Sequence, residues 1–163
     1  MPTTYKDGVK ITRMNHNNVW VKKWYHNNAL VYAAEESLAS MTVNASGGPP
    51  GAGSFTYEAV SASGWDLSGF ASVTLTVTNT LEGYYWSTHT GTITNGARGC
   101  LLRLADGTDI TVGTGTKTVS LAGYSAAQKK TVKLVGTLDY SCTDATNSAF
   151  RGSVAATGVT GHY

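Results

Sequence analysis

Residues 70–80 read Phe-Ala-Ser-Val-Thr-Leu-Thr-Val-Thr-Asn-Thr, and apolar residues alternate strictly with hydroxyl-bearing residues between Ser72 and Thr78. Successive side chains of a β-strand point to opposite faces of the sheet. The alternation therefore predicts a strand with one buried face and one solvated face. The same period of two recurs along most of the chain, with polar turns between the runs. We therefore expect an all-β protein.

Eight runs after the first 54 residues have the length and pattern of short strands. They span about 55–61, 70–79, 84–94, 99–105, 108–113, 116–122, 130–141 and 148–157. The dipeptide Asp106-Gly107 lies between two of these runs and favours a two-residue hairpin turn. Eight short strands with polar turns are typical of an antiparallel β-sandwich of jelly-roll or Greek-key type. A single up-and-down barrel is the alternative architecture.

The N-terminal part of the chain predicts a separate β-hairpin segment. A short strand is expected at 9–14, followed by a hairpin of strands 18–25 and 29–34. Asn27-Asn28 suits the turn, because Asn tolerates the left-handed conformation that tight hairpins require. An isolated hairpin is only marginally stable in water. This one is rich in aromatic residues, so we expect it to pack on its own sandwich or on another chain.

The segment between the hairpin and the sandwich has a different composition. Residues 35–40 could form a helical turn or two, and residues 44–54 read Asn-Ala-Ser-Gly-Gly-Pro-Pro-Gly-Ala-Gly-Ser. Pro and Gly at this density disfavour regular structure and are typical of a linker. The sequence thus predicts a docking hairpin segment at 1–43, a linker at 44–54 and a β-sandwich domain at 55–163.

The charge content argues for a covered surface rather than for a nucleic-acid or membrane partner. Charged residues make up 13% of the chain, about half of the roughly 25% usual in soluble domains. Such a surface gives little electrostatic protection against self-association, which suits a protein covered by neighbouring subunits. The net charge is only +2, but residues 1–34 hold five basic residues against one acid. This basic segment is either a solvated face or a docking segment for an acidic partner.

The sequence carries no pattern of export. No apolar run approaches the roughly 20 residues that span a bilayer, and the N-terminus lacks the apolar region of a signal peptide. We therefore expect synthesis in the cytoplasm. Cys100 and Cys142 lie on the apolar faces of their predicted strands, and in that compartment we expect them to be buried free thiols.

No residue pattern indicates catalysis, a metal site or a cofactor. The four histidines lie in no nucleophile–base motif, and the two cysteines lack the spacing of zinc ligands. Asp106, Asp109 and Asp139 could offer oxygen ligands to calcium, but a turn and an outward strand position explain Asp106 and Asp139 better. Ten acids scattered over a sandwich produce glycosidase-like carboxylate pairs by chance. We expect no enzyme, and a small glycan hydrolase is the least favoured alternative.

Aromatic residues of the predicted sandwich suggest a second function class. Aromatic faces stack on sugar rings, and exposed aromatic surface can mark an interface or a ligand platform. On a strand, Tyr84 and Trp86 share one face while Tyr85 takes the other. The alternative is that one of these faces is simply core. The candidate platform of a carbohydrate-binding module consists of Trp65, Tyr84, Tyr85 and Trp86.

The run from Asn18 to Tyr32, Asn-Val-Trp-Val-Lys-Lys-Trp-Tyr-His-Asn-Asn-Ala-Leu-Val-Tyr, resembles an element of tailed-bacteriophage structural proteins. There, a short strand, an Asn/Gly turn and a Leu-Val-Tyr/Trp strand open small tail, baseplate or head-appendage proteins. Here the turn is Asn-Asn. The Thr/Gly-rich sandwich after a linker is likewise similar to appended virion domains, such as decoration, fibre-tip and receptor-binding modules.

This resemblance implies a virion structural protein made in the host cytoplasm. It would form a homo-oligomeric appendage that contacts other virion proteins, with a host-surface glycan as a further partner on the carbohydrate-binding alternative. The hairpin residues that would dock are Trp20, Lys22, Lys23, Trp24, Tyr25 and Tyr32.

Overall fold

The computed structural model describes residues 5–6, 9–10, 14–16, 19–27, 29–47, 51–85, 91–143 and 148–163. Before Ala33, it describes the side chains of Val21, Lys22, Lys23, Tyr25 and Asn27 alone. The described residues form antiparallel strands and one short 3-10 turn at Gln128–Lys130. The expectation of an all-β fold built from antiparallel strands is confirmed.

The strands are numbered in chain order. They are β1 (Tyr5–Lys6), β2 (Val9–Lys10), β3 (Met14–His16), β4 (Val19–Val21), β5 (Lys23–His26), β6 (Ala29–Ala33), β7 (Glu35–Ser37), β8 (Met41–Asn44), β9 (Gly53–Val60), β10 (Ser72–Asn79), β11 (Glu82–Tyr85), β12 (Ile93–Arg103), β13 (Asp109–Thr111), β14 (Gly115–Ser120), β15 (Lys133–Cys142), β16 (Ser148–Arg151) and β17 (Ser153–His162).

Two larger sheets make up a sandwich-like body. The first, called the β17 sheet, runs β14–β10–β17–β7, and β8 also pairs with β17. The second, called the β15 sheet, runs β13–β12–β15–β9. Smaller two-stranded sheets are formed by β1–β2, β3–β4, β5–β6 and β11–β16.

The apolar rows of the two sheets form the core. In β10, Val73, Leu75 and Val77 are buried, as the alternation of this strand predicts. In β15, the inward row includes Leu134 and Leu138, both fully buried. These side chains belong to one cluster that both sheets share, which gives the body a single hydrophobic core.

The sheets come closest where β15 meets β17. A Cβ atom placed on Gly136 of β15 would overlap the side chain of Val154 of β17. Val154 is fully buried, so it has no room to move aside. Glycine at position 136 therefore sets how closely the two sheets pack.

The helical turn expected at 35–40 is wrong. Residues Glu35–Ser37 form β7, which pairs with Thr160–His162, and Met41–Asn44 form β8, which pairs with Ser153–Ala156. The long strand β17 offers backbone partners along this edge, and pairing with it outweighs the weak local helix preference. The sheet thus includes residues 35–44, most of which the sequence assigns to the docking segment.

Three of the runs expected in the sandwich differ in the structure. The run at 148–157 is divided at Gly152 into β16 and the start of β17, which belong to different sheets. The sequence predicts strands at 84–94 and 99–105. The structure instead has β11, which ends at Tyr85, and β12, which runs without a break from Ile93 to Arg103. A bulge between Asn95 and Arg98 lets β12 continue past Gly96. Residues 86–90 lie outside the described residues. β12 and β13 form a hairpin across Asp106-Gly107 as expected, but Leu104 N donates to Thr108 O, so the loop has three residues and not two.

The cysteine environment yields a first testable prediction. The side chains of Cys100 and Cys142 are both buried, and burial raises the pKa of the Cys100 thiol to about 11. A buried thiol held in its protonated form is a poor nucleophile. We expect thiol reagents to label both cysteines only on the timescale of unfolding, and rapidly in denaturant. Fast labelling of the native protein would contradict this burial.

Candidate functional site

The strand expected at 18–25 is divided at Lys22: β4 pairs with β3, whereas β5 pairs with β6 around a turn at which Asn27 adopts a φ of 48°. Lys22 and Lys23 are exposed, and Val21 and Ala33 are half-buried. Tyr25 is 53% exposed, whereas the other aromatic side chains that the structure describes are half-buried or buried. The backbones of Trp20, Trp24 and Tyr32 lie in β4, β5 and β6. Their side chains fall outside the described part.

The hairpin meets the sandwich near the end of β17. Ala34 N donates to Lys22 O at 2.7 Å, and Tyr163 N donates to Ala34 O at 3.2 Å. The ammonium group of Lys22 lies 4.3 Å from the centroid of the Tyr163 ring, within the range of a cation–π interaction. The hairpin is thus attached through Lys22 and Ala34 to Tyr163.

Tyr163 is itself held by the sandwich. Its ring packs against Phe70 with centroids 4.5 Å apart, and its hydroxyl donates to the Glu36 carboxylate. This hydrogen bond requires the phenol proton and, together with burial, raises the pKa of Tyr163 to about 12. Glu36 of β7 and Phe70 therefore fix the ring on which Lys22 rests.

Trp65 is part of the core, so its prediction as a platform residue is wrong. The residue is 6% exposed, and its indole Nε1 donates to Ala39 O at 2.8 Å. Its backbone pairs with Val132 in both directions, at 3.0 and 2.9 Å. The indole belongs to the core cluster, which leaves no exposed face on which a ligand could stack.

Tyr84 and Tyr85 are half-buried in β11. The Arg151 guanidinium lies 4.5 Å from the Tyr84 ring centroid and pairs with Glu82 at 2.5 Å. The Tyr85 hydroxyl donates to Thr92 O at 3.2 Å. Trp86 lies outside the described residues, so the structure brings no group of stacked platform aromatics together in the part that it describes.

The acids considered as calcium ligands have other partners. Asp106 accepts from Thr108 N at 3.0 Å and from the Gln128 side chain at 2.7 Å. These bonds lower the pKa of Asp106 and fix the β12–β13 turn. Asp109 is paired with Arg103. Within the described ranges, no three His, Cys, Asp or Glu side chains are gathered to hold a metal ion.

Arg103 forms a charge cluster that sequence reasoning did not find. Its guanidinium donates to both oxygens of Asp109 at 2.7 and 2.8 Å, and to both oxygens of Glu58 at 2.9 and 3.0 Å. The cluster thus links β13, β12 and β9 across β15. Val135 of β15 lies on this outward face and is nevertheless fully buried, because the bridge to Glu58 passes over it.

The Asp109 side of this cluster could have been expected from the sequence. Arg103 and Asp109 flank the predicted Asp106-Gly107 turn, and they are direct partners in the β12–β13 register. Opposite charges at such positions attract each other. Glu58 is far away in sequence, and only the fold brings it to Arg103.

The outward face of the β17 sheet carries paired hydroxyl groups. Thr74 and Thr118 are 2.8 Å apart at their Oγ1 atoms, and so are Thr76 and Thr116. These side chains are uncharged, and each pair satisfies part of its own hydrogen-bonding capacity. Burying such a face against another protein costs less desolvation free energy than burying polar groups that have no hydrogen-bond partner.

No helix in the described part is long and apolar enough to cross a membrane. Comparisons with protein-family models, with curated proteins and with solved structures found no match to this chain.

Alanine substitutions separate core aromatics from surface aromatics. We expect Trp65→Ala to lower the free energy of unfolding by about 3–5 kcal/mol, as other large-to-small aromatic changes in cores do. Tyr84→Ala removes a half-exposed ring and should cost about 1 kcal/mol or less, since exposed cation–π contacts are weak. Urea unfolding monitored by circular dichroism measures both. Equal losses would contradict the different burial of the two rings.

The charge cluster predicts a pH-dependent stability. Arg103 holds the pKa of Asp109 below its usual value, so the pair stabilises the fold above the unfolded pKa of about 3.9. We expect Asp109→Asn to be less stable than the parent near pH 7. The difference should shrink as the pH falls through the depressed pKa and the parent carboxylate takes up its proton. A difference independent of pH, measured by urea unfolding, would show that packing and not charge is lost.

Proposed function

We propose that this chain is a non-enzymatic virion structural protein, an oligomeric appendage of a tailed bacteriophage. The β-sandwich forms the body, and the N-terminal hairpin docks on a neighbouring copy or on another virion protein. The main support is the solvent exposure of Lys22, Lys23 and Tyr25, together with the resemblance of the hairpin sequence to phage appendage proteins. The proposed location is the virion.

None of the described hairpin side chains belongs to the core of the sandwich. Among the residues whose side chains are described, the buried members of this core begin at Val43, and the partly buried residues packed against it begin at Leu38. Lys22, Lys23 and Tyr25 are exposed to solvent, and Trp20 and Trp24 lie nearby in β4 and β5. A two-stranded hairpin alone is marginally stable. A partner that covers this aromatic and basic surface would supply the missing burial.

We also propose a jelly-roll topology for the body. Eight strands, β8, β9, β10, β12, β13, β14, β15 and β17, can be counted from one to eight in chain order. In this count the β17 sheet has the order 6-3-8-1 and the β15 sheet has the order 5-4-7-2. This interleaving is what two nested Greek keys produce. Jelly rolls occur in viral capsid and lectin domains, so the topology favours the proposal by analogy of fold only.

The chemistry of the β17 sheet favours contact with a neighbouring copy through its outward face and not through its edge. Its outward threonines are uncharged and paired, as an oligomer interface would require. Its edge strand β14, by contrast, places Lys117 opposite Leu75, on the inward row. An inward-pointing charge at an edge opposes edge-to-edge pairing with another sheet. We therefore propose that copies meet through faces and hairpins, and not through β14.

Carbohydrate binding is the second proposed function. The Trp65 platform does not support it, but a groove on the β15 sheet that carries hydroxyl and carboxylate side chains does, and its residues are described below. A host-surface glycan would be the partner on this proposal. The two functions are compatible, since a virion appendage can carry a binding site on its exposed face.

Two truncations test the docking proposal. Deletion of residues 1–33 leaves β7, β8 and the Ala34 carbonyl that binds Tyr163. We expect a folded, cooperative sandwich that has lost its oligomeric state, as measured by light scattering against the full chain. Deletion of residues 1–43 removes β7, most of β8 and the Ala39 carbonyl that binds Trp65. That variant should expose the core and aggregate.

Two results would contradict the proposal. One is a full chain that stays monomeric at every concentration tested. The other is a variant lacking residues 1–33 that aggregates or unfolds without cooperativity, because the hairpin would then belong to the sandwich core.

A further inference from the structure

A groove of about 410 Å³ crosses the outward face of the β15 sheet. Its size falls within the roughly 300–1,000 Å³ of small-molecule sites. Eight residues of three neighbouring strands line it, and five of them are Ser, Thr or Asp. They are Ser54, Phe55 and Thr56 of β9, Thr94 and Gly96 of β12, and Asp139, Tyr140 and Ser141 of β15.

The bulge in β12 shapes this groove. Between the register pairs Asn95–Tyr140 and Arg98–Leu138, two residues of β12 oppose Asp139 alone. A Cβ atom on Gly96 would lie 3.1 Å from Asp139 O, closer than side chains usually pack. Gly96 therefore leaves the wall open beside Asp139. Bulges often occur beside binding and active sites, where they redirect the strand.

Hydrogen bonds made by the side chains of Asn95 and Arg98 hold the bulge of β12 in place. Asn95 Oδ1 accepts from Gly83 N at 2.7 Å, and Asn95 Nδ2 donates to Gly83 O at 3.2 Å. Arg98 Nε donates to Leu81 O at 2.5 Å. These bonds fix one end of the bulge to Gly83 of β11 and the other to Leu81, in the segment joining β10 and β11. The groove is thus preorganised, which lowers the entropy cost of binding.

The polar groups of the groove suit a ligand with many hydroxyls. Asp139 is exposed, and Thr56 Oγ1 donates to its Oδ1 at 2.7 Å. A carboxylate with one such bond keeps further acceptor positions for hydroxyl donors. Ser54, Thr94 and Ser141 each offer both a donor and an acceptor. No ion pair joins Asp139 to a described residue, and a single carboxylate is a poor cage for a divalent cation.

We propose that this groove binds a neutral saccharide, with Asp139 accepting hydrogen bonds from its hydroxyl groups. The serine and threonine hydroxyls around Asp139 complete the contacts, and the Gly96 bulge makes room for the ring. This site differs from the aromatic platform considered above. It also stands apart from the docking hairpin, so failure of the truncation test leaves it unaffected.

The test is a titration of the full chain labelled with ¹⁵N, followed by amide chemical shifts. The probes are glucose, galactose, mannose and N-acetylglucosamine, together with their common disaccharides. We expect one or more of them to shift amides in residues 54–56, 94–96 and 139–141. Asp139→Asn keeps the size of the side chain and should weaken that binding at least about tenfold, because a bond to a charged acceptor is lost.

Asp66→Asn is the matched control. Asp66 is an exposed acid that accepts from Ser68 N at 3.0 Å and lies outside the groove, so binding should be unchanged. If Asp139→Asn disturbs the fold, Ser141→Ala tests the same wall of the groove. Three results would overturn the proposal: no shift with any saccharide, shifts centred on Tyr84 and Arg151, or shifts produced by calcium chloride or butylamine and by no saccharide.

Discussion

The contact between Gly136 and Val154 sets the spacing of the sandwich on which the other features depend. Each lies on the central part of its sheet, and there is no space for a Cβ atom between them. Close packing at this point brings the leucine and valine rows of β10, β12 and β15 into one core. The outward faces then receive the polar residues that alternate with those rows. The functional proposals rest on these outward residues.

The two outward faces have different chemistry. The β17 sheet presents paired threonines, with His162 hydrogen-bonded to Thr74 and Glu35 beside it, and its last strand ends beside Tyr163, where Lys22 of the hairpin is attached. The β15 sheet presents the Arg103 cluster and, further along the strands, the groove at Asp139. One side of the body thus suits contact between proteins, and the other suits a small polar ligand. Such a division would let one domain both assemble and bind.

Local patterns predicted the parts of the fold that local physics determines. The alternation at 70–79 corresponds to β10, and the Asp106-Gly107 turn joins β12 to β13, because side-chain period and turn chemistry act over a few residues. Strand β7 was missed because its partner β17 is more than 100 residues away in the chain. The burial of Trp65 was missed for a related reason. This residue lies between two strands, where no alternation of apolar and polar residues indicates whether a side chain is buried. The groove depends on a bulge and on three strands, and neither follows from sequence spacing.

Hydrogen exchange of the full chain is the most direct test of the account. It shows whether the sandwich is stable without the hairpin and whether the hairpin becomes buried only in contact with a partner. Amides of a cooperative core exchange only through global unfolding, whereas weakly packed elements exchange through local opening. In dilute solution we expect the slowest exchange in β15 and β17, and much faster exchange in β5 and β6. At concentrations that produce the oligomer, β5 and β6 should become protected. Protection of β5 and β6 equal to that of β15 in the dilute monomer would contradict the account.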